Sequence, residues 1–148
     1  MTITPVTEEN LPLAGAVHSA AWQASHGAFC SPEFVARHTP QAQTDYLRRE
    51  MAAGKALYML TDGEAKGIVT VQGSLIENLY VLPSAQRKGY SRELLRFAME
   101  RCDGTPTLWV LGNNPARALY QRHGFTETGR RKQLNDSLYE IEMSLRGE

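Results

Sequence analysis

The sequence is poor in the features that mark secreted, metal-bound, nucleic-acid-coating or membrane-spanning chains. Its 148 residues hold only two cysteines, Cys30 and Cys102, far apart and in no CxxC pair. That excludes a disulfide framework, and both are expected as small buried apolar residues in a reducing, cytoplasmic setting. The four histidines (His18, His26, His38 and His123) show neither HxH nor HxxxH spacing, so no metal site is expected. Neither sign of charge is in excess: 16 basic residues face 16 acidic ones. A general nucleic-acid binder needs a basic surplus, so nucleic acid is not expected as a partner, and any anion site must be local. No apolar run approaches the roughly eighteen residues of a membrane span. The first ten residues carry two acids and no basic stretch, unlike a secretory leader. There is no repeat, low-complexity tract or linker. The length suits one domain, residues 1–148, able to bury a core without staples.

What is present is a regular succession of elements. Residues 2–6 are β-prone. Thr7 can cap a helix whose Leu13, Ala16, Val17, Ala20 and Ala21 share a face. The segment 26–32 breaks it, and a second helical stretch runs from Ser31 to Ala53, interrupted near Thr39-Pro40 and stopped by Gly54. Three strands follow, Ala56–Thr61, Lys66–Gln72 and Leu75–Leu82, with turns at Asp62-Gly63 and Gly73-Ser74. The third is apolar on both faces except for Glu77 and Asn78, as expected of a central strand. A helix from Gly89 to Arg101 and a buried strand Thr107–Leu111 complete a βαβ unit. Asn114 and Pro115 then open a helix that Gly124 closes. Two last strands, Phe125–Gln133 and Ser137–Leu145, turn at Asn135-Asp136. The predicted class is α/β: one mixed β-sheet with helices on both faces.

The strongest chemical signal lies between this central strand and its helix. Backbone N–H groups at a helix start are unpaired and carry about half a positive charge, which suits a phosphate. Gly89 allows close approach of the main chain, Ser91 is small, and Arg87, Lys88 and Arg92 add local positive charge. Taken alone this reads rather as an ordinary strand-to-helix turn with solvated basic residues. The segment Asn113–Phe125 alone reads as an amphipathic helix with Tyr120 half buried.

Together, Gln86-Arg87-Lys88-Gly89-Tyr90-Ser91, the preceding Leu79-Tyr80-Val81-Leu82-Pro83, and Asn113, Ala116, Tyr120 and Gly124-Phe125 resemble the GCN5-related N-acetyltransferases (GNAT). The loop pattern of that family is Gln or Arg, two residues, Gly, one residue, then Gly or Ala. Gln86 and Gly89 match, whereas Ser91 departs but stays small. The order of elements also agrees from end to end. The resemblance implies a sheet whose central strands, Leu75–Leu82 and Thr107–Leu111, splay into a V that receives the arm of acetyl-CoA. That arm would pair with main-chain groups of Leu79, Tyr80 and Val81. The pyrophosphate would rest on the amides of Gln86, Arg87, Lys88, Gly89, Tyr90 and Ser91, with Asn113 and Ala116 beside the cofactor.

The implied reaction is transfer of acetyl from acetyl-CoA to an amine, small molecule or protein, within a ternary complex. The carbonyl oxygen needs a donor, for which a backbone N–H near Val81 is placed. Tyr120 stands where the family has the phenol that serves the leaving thiolate; the alternative is a tyrosine that only packs. Glu77 is the only acid inside the central strand, and strand alternation puts it on the face of Leu79 and Val81. It can take the proton of the amine, bind the acceptor, or be structural. The family frames its acceptor with the loop after the first helix and with the last hairpin; here the loop offers Trp22, His26, Phe29 and His38, as lid packing or as acceptor contacts. A non-catalytic acyl-CoA sensor is the alternative from another class. A dinucleotide-binding oxidoreductase is a poor reading because no GxGxxG follows the first strand. Monomer and homodimer are both compatible with the last strands.

Overall fold

A computed structural model describes residues 1–28 and 30–145. Its strands are β1 (Thr2–Pro5), β2 (Ala56–Asp62), β3 (Glu64–Gln72), β4 (Leu75–Val81), β5 (Thr107–Leu111), β6 (Phe125–Gln133) and β7 (Tyr139–Leu145). Its helices are α1 (Leu11–His26), α2 (Pro32–Ala36), α3 (Pro40–Ala52), α4 (Tyr90–Arg101) and α5 (Ala116–Arg122). No helix among the described residues is long and apolar enough to cross a membrane.

The first helix starts later than Thr7 suggests. Asn10 occupies the position before Leu11, and its Oδ1 accepts from the Thr7 N–H at 2.7 Å. Asn10 thus folds back on the preceding turn, and Pro12, lacking an N–H, fits the first helical turn. The second helical stretch divides at Thr39 as expected. Ser31 caps α2 through the Phe34 N–H (3.2 Å), and Thr39 caps α3 through the Ala42 N–H (3.1 Å).

The strands form one mixed sheet in the order β1-β2-β3-β4-β5-β7-β6, so β4 is its middle strand. All neighbours are antiparallel except β4 and β5, which α4 connects in parallel. On one face Leu57, Met59 and Ile68 pack with Leu11, Ala14, Val17 and Leu47 of α1 and α3. On the other, Val69, Val71, Ile76 and Val81 pack with Leu94, Leu95 and Ala98 of α4 and with Leu108, Val110, Ile141 and Met143. Leu94 and Leu95 are wholly buried, and each contributes about 1.5–3 kcal/mol of transfer free energy.

Two irregularities in β4 open the sheet. The ladder to β5 consists of Leu75↔Thr107 and Ile76↔Leu108 and goes no further. The main-chain groups of residues 77–81 that point toward β5 therefore have no strand partner. On the other side, β3 pairs as Ile68↔Tyr80 and Thr70↔Glu77. One residue of β3, Val69, thus opposes two of β4, Asn78 and Leu79, which is a β-bulge. Asn78 takes the left-handed conformation there (φ 52°), which asparagine tolerates better than most side chains.

The bulge corrects the expected facing of Glu77. Ile68 and Thr70 lie two apart on β3 and share a face, so their partners Tyr80 and Glu77 share it too. Val81 pairs with Gly67 and belongs to the α4 side, as does Leu79. The extra residue shifts the alternation by one, so Glu77 faces α1 and α3, away from Leu79 and Val81.

Candidate functional site

Two clefts meet where β4 and β5 diverge. The larger, of about 830 Å³, runs from the V along the start of α4. Leu79, Tyr80 and Val81 line its strand wall, and Gln86, Arg87, Gly89 and Ser91 its loop wall. Ala116 and Tyr120 of α5 close the opposite side. The loop has features that suit an anion. Gly89 precedes α4 in the left-handed conformation (φ 85°) and supplies no side-chain cap, while Arg87 is also left-handed (φ 67°). The first-turn N–H groups of α4 therefore open on the cleft without a competing side-chain acceptor. Arg87, Arg92 and Arg122 bring positive charge to the lining.

Three residues expected at this cleft lie outside its lining. Lys88 is exposed. Tyr90 turns its hydroxyl to Asp62 Oδ2 at 2.6 Å, a bond that raises the phenol pKa and lowers that of the carboxyl. Asn113 is exposed, and its neighbour Asn114 borders the cleft instead. Asn114 Oδ1 accepts from the Ala116 N–H at 2.9 Å and so fixes the start of α5. His123, Leu119, Ala21 and Ser25 also line the cleft; Ala21 and Ser25 come from α1, which no local pattern near the loop reveals.

The smaller cleft, of about 90 Å³, lies between the diverging strands. Leu79, Tyr80, Asn114 and Tyr120 border both clefts. Tyr120 is therefore at their junction. It is buried, with 8% exposure, and burial pushes its hydroxyl up to about 12. Among the described residues, none hydrogen-bonds that hydroxyl. The group is a neutral phenol that borders both clefts.

Glu77 lines the smaller cleft and is tethered. Its Oε1 accepts from Lys55 Nζ at 2.8 Å, and the same ammonium holds Glu50 Oε1 at 2.9 Å. Burial alone would lower the Lys55 pKa, but these two carboxylates together raise it. The Tyr46 hydroxyl donates to Glu50 Oε1 (3.1 Å), and Asn78 Nδ2 reaches both Tyr46 Oη and Thr70 Oγ1 at 3.3 Å. A continuous polar network thus runs from Lys55 to the bulge. His18 lies behind it, 3% exposed, stacked on Tyr46 and edge-on to Tyr80 with ring centroids 4.9 Å apart. Desolvation lowers its pKa to about 4, so it is neutral at pH 7.

The α1–α2 region forms an aromatic stack. Trp22 lies between His26, with centroids 4.2 Å apart, and His38, with centroids 3.4 Å apart; Phe34 packs edge-on. Trp22 itself lines neither cleft, which fits packing rather than acceptor contact. His26 does line the smaller cleft. Its Nδ1 lies 2.8 Å from Ser25 Oγ and 3.0 Å from the Trp22 carbonyl, and burial lowers its pKa. Phe29 falls outside the described residues. The far wall of the smaller cleft, Trp109 of β5 and Glu140 of β7, was not among the sequence candidates.

A family profile described as "Acetyltransferase (GNAT) domain" matches residues 27–146. A curated protein of Arabidopsis thaliana, GCN5-related N-acetyltransferase 6, chloroplastic, is 41% identical over 71 residues. That match takes in 43% of this chain and spans about a quarter, 25%, of the relative. Among solved structures, PaiA N-acetyltransferase from Thermoplasma acidophilum, crystallised with coenzyme A, superposes with a TM-score of 0.68 at 16% identity, over 96% of this chain and 98% of that one. The ribosomal-protein-S18-alanine N-acetyltransferase from Escherichia coli gives a TM-score of 0.71 at 22% identity, over 99% and 96%. An acetyltransferase from Thermus thermophilus gives 0.72 at 21% identity, over 98% of each chain. Identities this low establish a shared fold.

Proposed function

The chain belongs to the GNAT acetyltransferase family, and on that premise we propose that it moves an acetyl group from acetyl-CoA to an amine by direct transfer in a ternary complex. The observation that carries this reading is Tyr120, a buried phenol with no hydrogen-bond partner among the described residues, at the junction of a large cleft with basic residues in its lining and a second, smaller one. Acetyl-CoA fits the larger cleft chemically. Its pyrophosphate would meet the free amides at the start of α4 with Arg87 and Arg92, and its amide-bearing arm the unpaired edge of β4 near Leu79 to Val81.

In the reaction the amine nitrogen forms a C–N bond as the thioester C–S bond breaks, and the second proton that the nitrogen sheds on becoming an amide ends on the released sulfur as the free thiol. An incoming ammonium must first lose a proton. Glu77, directly or through water, is the assigned acceptor, with its second oxygen outside the Lys55 tether. Main-chain N–H groups on the unpaired edge of β4 stabilise the carbonyl oxygen as it gains charge. Tyr120 hydrogen-bonds the departing sulfur. A hydroxyl held near pKa 12 serves as donor to a developing thiolate and does not itself ionise. His26 borders the acceptor cleft as a contact for the incoming amine.

The direct test incubates the protein with acetyl-CoA and a panel of amines and follows free thiol. Acceptor-dependent thiol release supports the reading. Stabilisation by acetyl-CoA with no turnover on any amine would instead support a sensor of acyl-CoA.

A further inference from the structure

The smaller cleft carries a carboxylate that the reaction above does not use. Glu140 of β7 lines it opposite Glu77, together with Trp109, Tyr80 and Tyr120. Each other acid nearby has a cationic partner. Glu77 and Glu50 share Lys55, and Glu142 lies 3.5 Å from Arg130 Nη1. Glu140 is half buried and, among the described residues, makes no ion pair and no side-chain hydrogen bond.

Its isolation is not for want of a neighbour. Lys132 of β6 stands directly across from Glu140 in the ladder, the register that would ordinarily bring opposite charges together. Its ammonium instead sits 4.3 Å from the centre of the Trp109 ring, a cation–π contact. Burial first, then the neighbouring Tyr120 and Tyr46 hydroxyls and last the charge of Glu140 raise the pKa of the Tyr80 hydroxyl. Glu140 is part of the lining of the cleft. The lining of that cleft contains no lysine or arginine, and its one histidine, His26, has a lowered pKa.

A half-desolvated, unpaired carboxylate is a poor resting arrangement unless a cation completes it. The reacting nitrogen must be neutral at attack, so it cannot supply that charge. We infer that Glu140 is a specificity-determining residue that binds a second positive charge on the acceptor, so that the preferred substrate is a small diamine or polyamine. This rests on the amine-acetylation reading above.

Three four-carbon acceptors isolate the far-end charge: 1,4-diaminobutane (positive), butylamine (neutral) and 4-aminobutyrate (negative). Wild type should prefer the diamine over butylamine by about tenfold or more in kcat/KM, mainly through KM, with 4-aminobutyrate poorest. In Glu140→Gln the preference for the diamine should fall toward unity. In Glu140→Lys the order should shift toward 4-aminobutyrate. Coenzyme A affinity, measured on each variant, reports folding independently. Equal use of the three acceptors by wild type, or an unaltered ratio in Glu140→Gln, overturns the inference while leaving acetylation intact. Should wild type acetylate none of them, calorimetry of 1,4-diaminobutane on the coenzyme A-loaded protein still decides. Binding lost in Glu140→Gln sustains the role of Glu140; no binding to wild type overturns the inference, while the acetylation reading stands or falls on its own amine panel.

Discussion

Replacing Tyr120 with phenylalanine removes one oxygen and leaves the packing of the ring in place. The ring sits edge-on to Phe125, with centroids 6.2 Å apart, and both belong to the main core. The hydroxyl has no partner among the described residues, so its loss breaks no protein hydrogen bond. Stability should therefore move by no more than about 1 kcal/mol in either direction. Catalysis should respond very differently. A positioned acid or donor on a leaving group supplies roughly 10²–10⁴-fold, so kcat should fall by about 10² or more, or about 2.7 kcal/mol of barrier. Coenzyme A affinity should change little, because the hydroxyl meets the ligand only where the thiolate develops. The assay is thiol release under saturating acetyl-CoA, with calorimetry for binding and thermal melting for the fold. The pH dependence adds a sign. With a pKa pushed to about 12, the hydroxyl stays protonated throughout the working range, so no alkaline fall in rate below about pH 10 belongs to Tyr120. Its folded pKa lies above the unfolded value of about 10. Stability is thus unaffected below that pH and declines as pH rises from about 10 toward 12. A Tyr120→Phe protein that binds coenzyme A normally and keeps its rate within about threefold would remove the residue from the mechanism.

Three other outcomes follow from particular contacts. Gly89→Val should weaken coenzyme A binding by about tenfold or more in calorimetry. Its φ of 85° disfavours a branched side chain by roughly 1–2 kcal/mol, and the new Cβ would lie 3.3 Å from Arg92 Nη2; normal affinity would mean that the loop does not hold the diphosphate. Gly67→Ala should lower thermal stability by about 1–3 kcal/mol, because a Cβ there would meet the Tyr80 carbonyl oxygen at 2.9 Å and Leu94 Cδ1 at 2.7 Å; an unchanged melting temperature would contradict this packing. His18, depressed from 6.5 to about 4, should contribute stability that is complete above pH 6.5 and lost as pH falls through 4, up to about 3 kcal/mol. An NMR titration of its ring protons with a midpoint near 6.5 would contradict that burial.

Much of the fold was legible because periodicity and punctuation agreed. Glycine at 54, 63, 73 and 124 takes positive φ at the turns and helix ends where the sequence reading puts breaks. The apolar run in β4 marks the middle of the sheet, as its position shows. What escaped depends on contacts distant in sequence or on a single rotation of the chain. The Trp22–His26 stack follows helical spacing, but His38 reaches it from beyond α2. Tyr90 belongs by sequence to the apolar stripe of α4, yet Asp62, 28 residues away, takes its hydroxyl. Asn113 and Asn114 are chemically identical neighbours, and only the capping bond to Ala116 shows which one faces the cleft. Glu140 gives no local signal at all, since an acid alternating with Ile141 and Met143 on an antiparallel strand reads as a solvated face.

The bulge at Asn78 matters most, because one residue decides both halves of the site. A regular β4 would keep pairing with β5 beyond Ile76, and no main-chain edge would be left for an extended ligand. It would also put Leu79 and Val81 on the side of Glu77, facing α1 and α3, because the ladder is regular up to Glu77 and fixes its face. With the extra residue inserted, Leu79 and Val81 lie on the α4 side, Tyr80 joins Glu77 on the side of Lys55, and the ladder to β5 ends at Ile76. The polar network from Thr70 through Asn78 and Tyr46 to Glu50 holds the bulged segment from behind. Asparagine suits that position on two separate grounds: it accepts a left-handed backbone, and its amide can bond two hydroxyls at once. In the sequence it appears only as a polar interruption of a hydrophobic strand. The same interruption, given three-dimensional form, lies where the two clefts part, with Tyr120 at their junction.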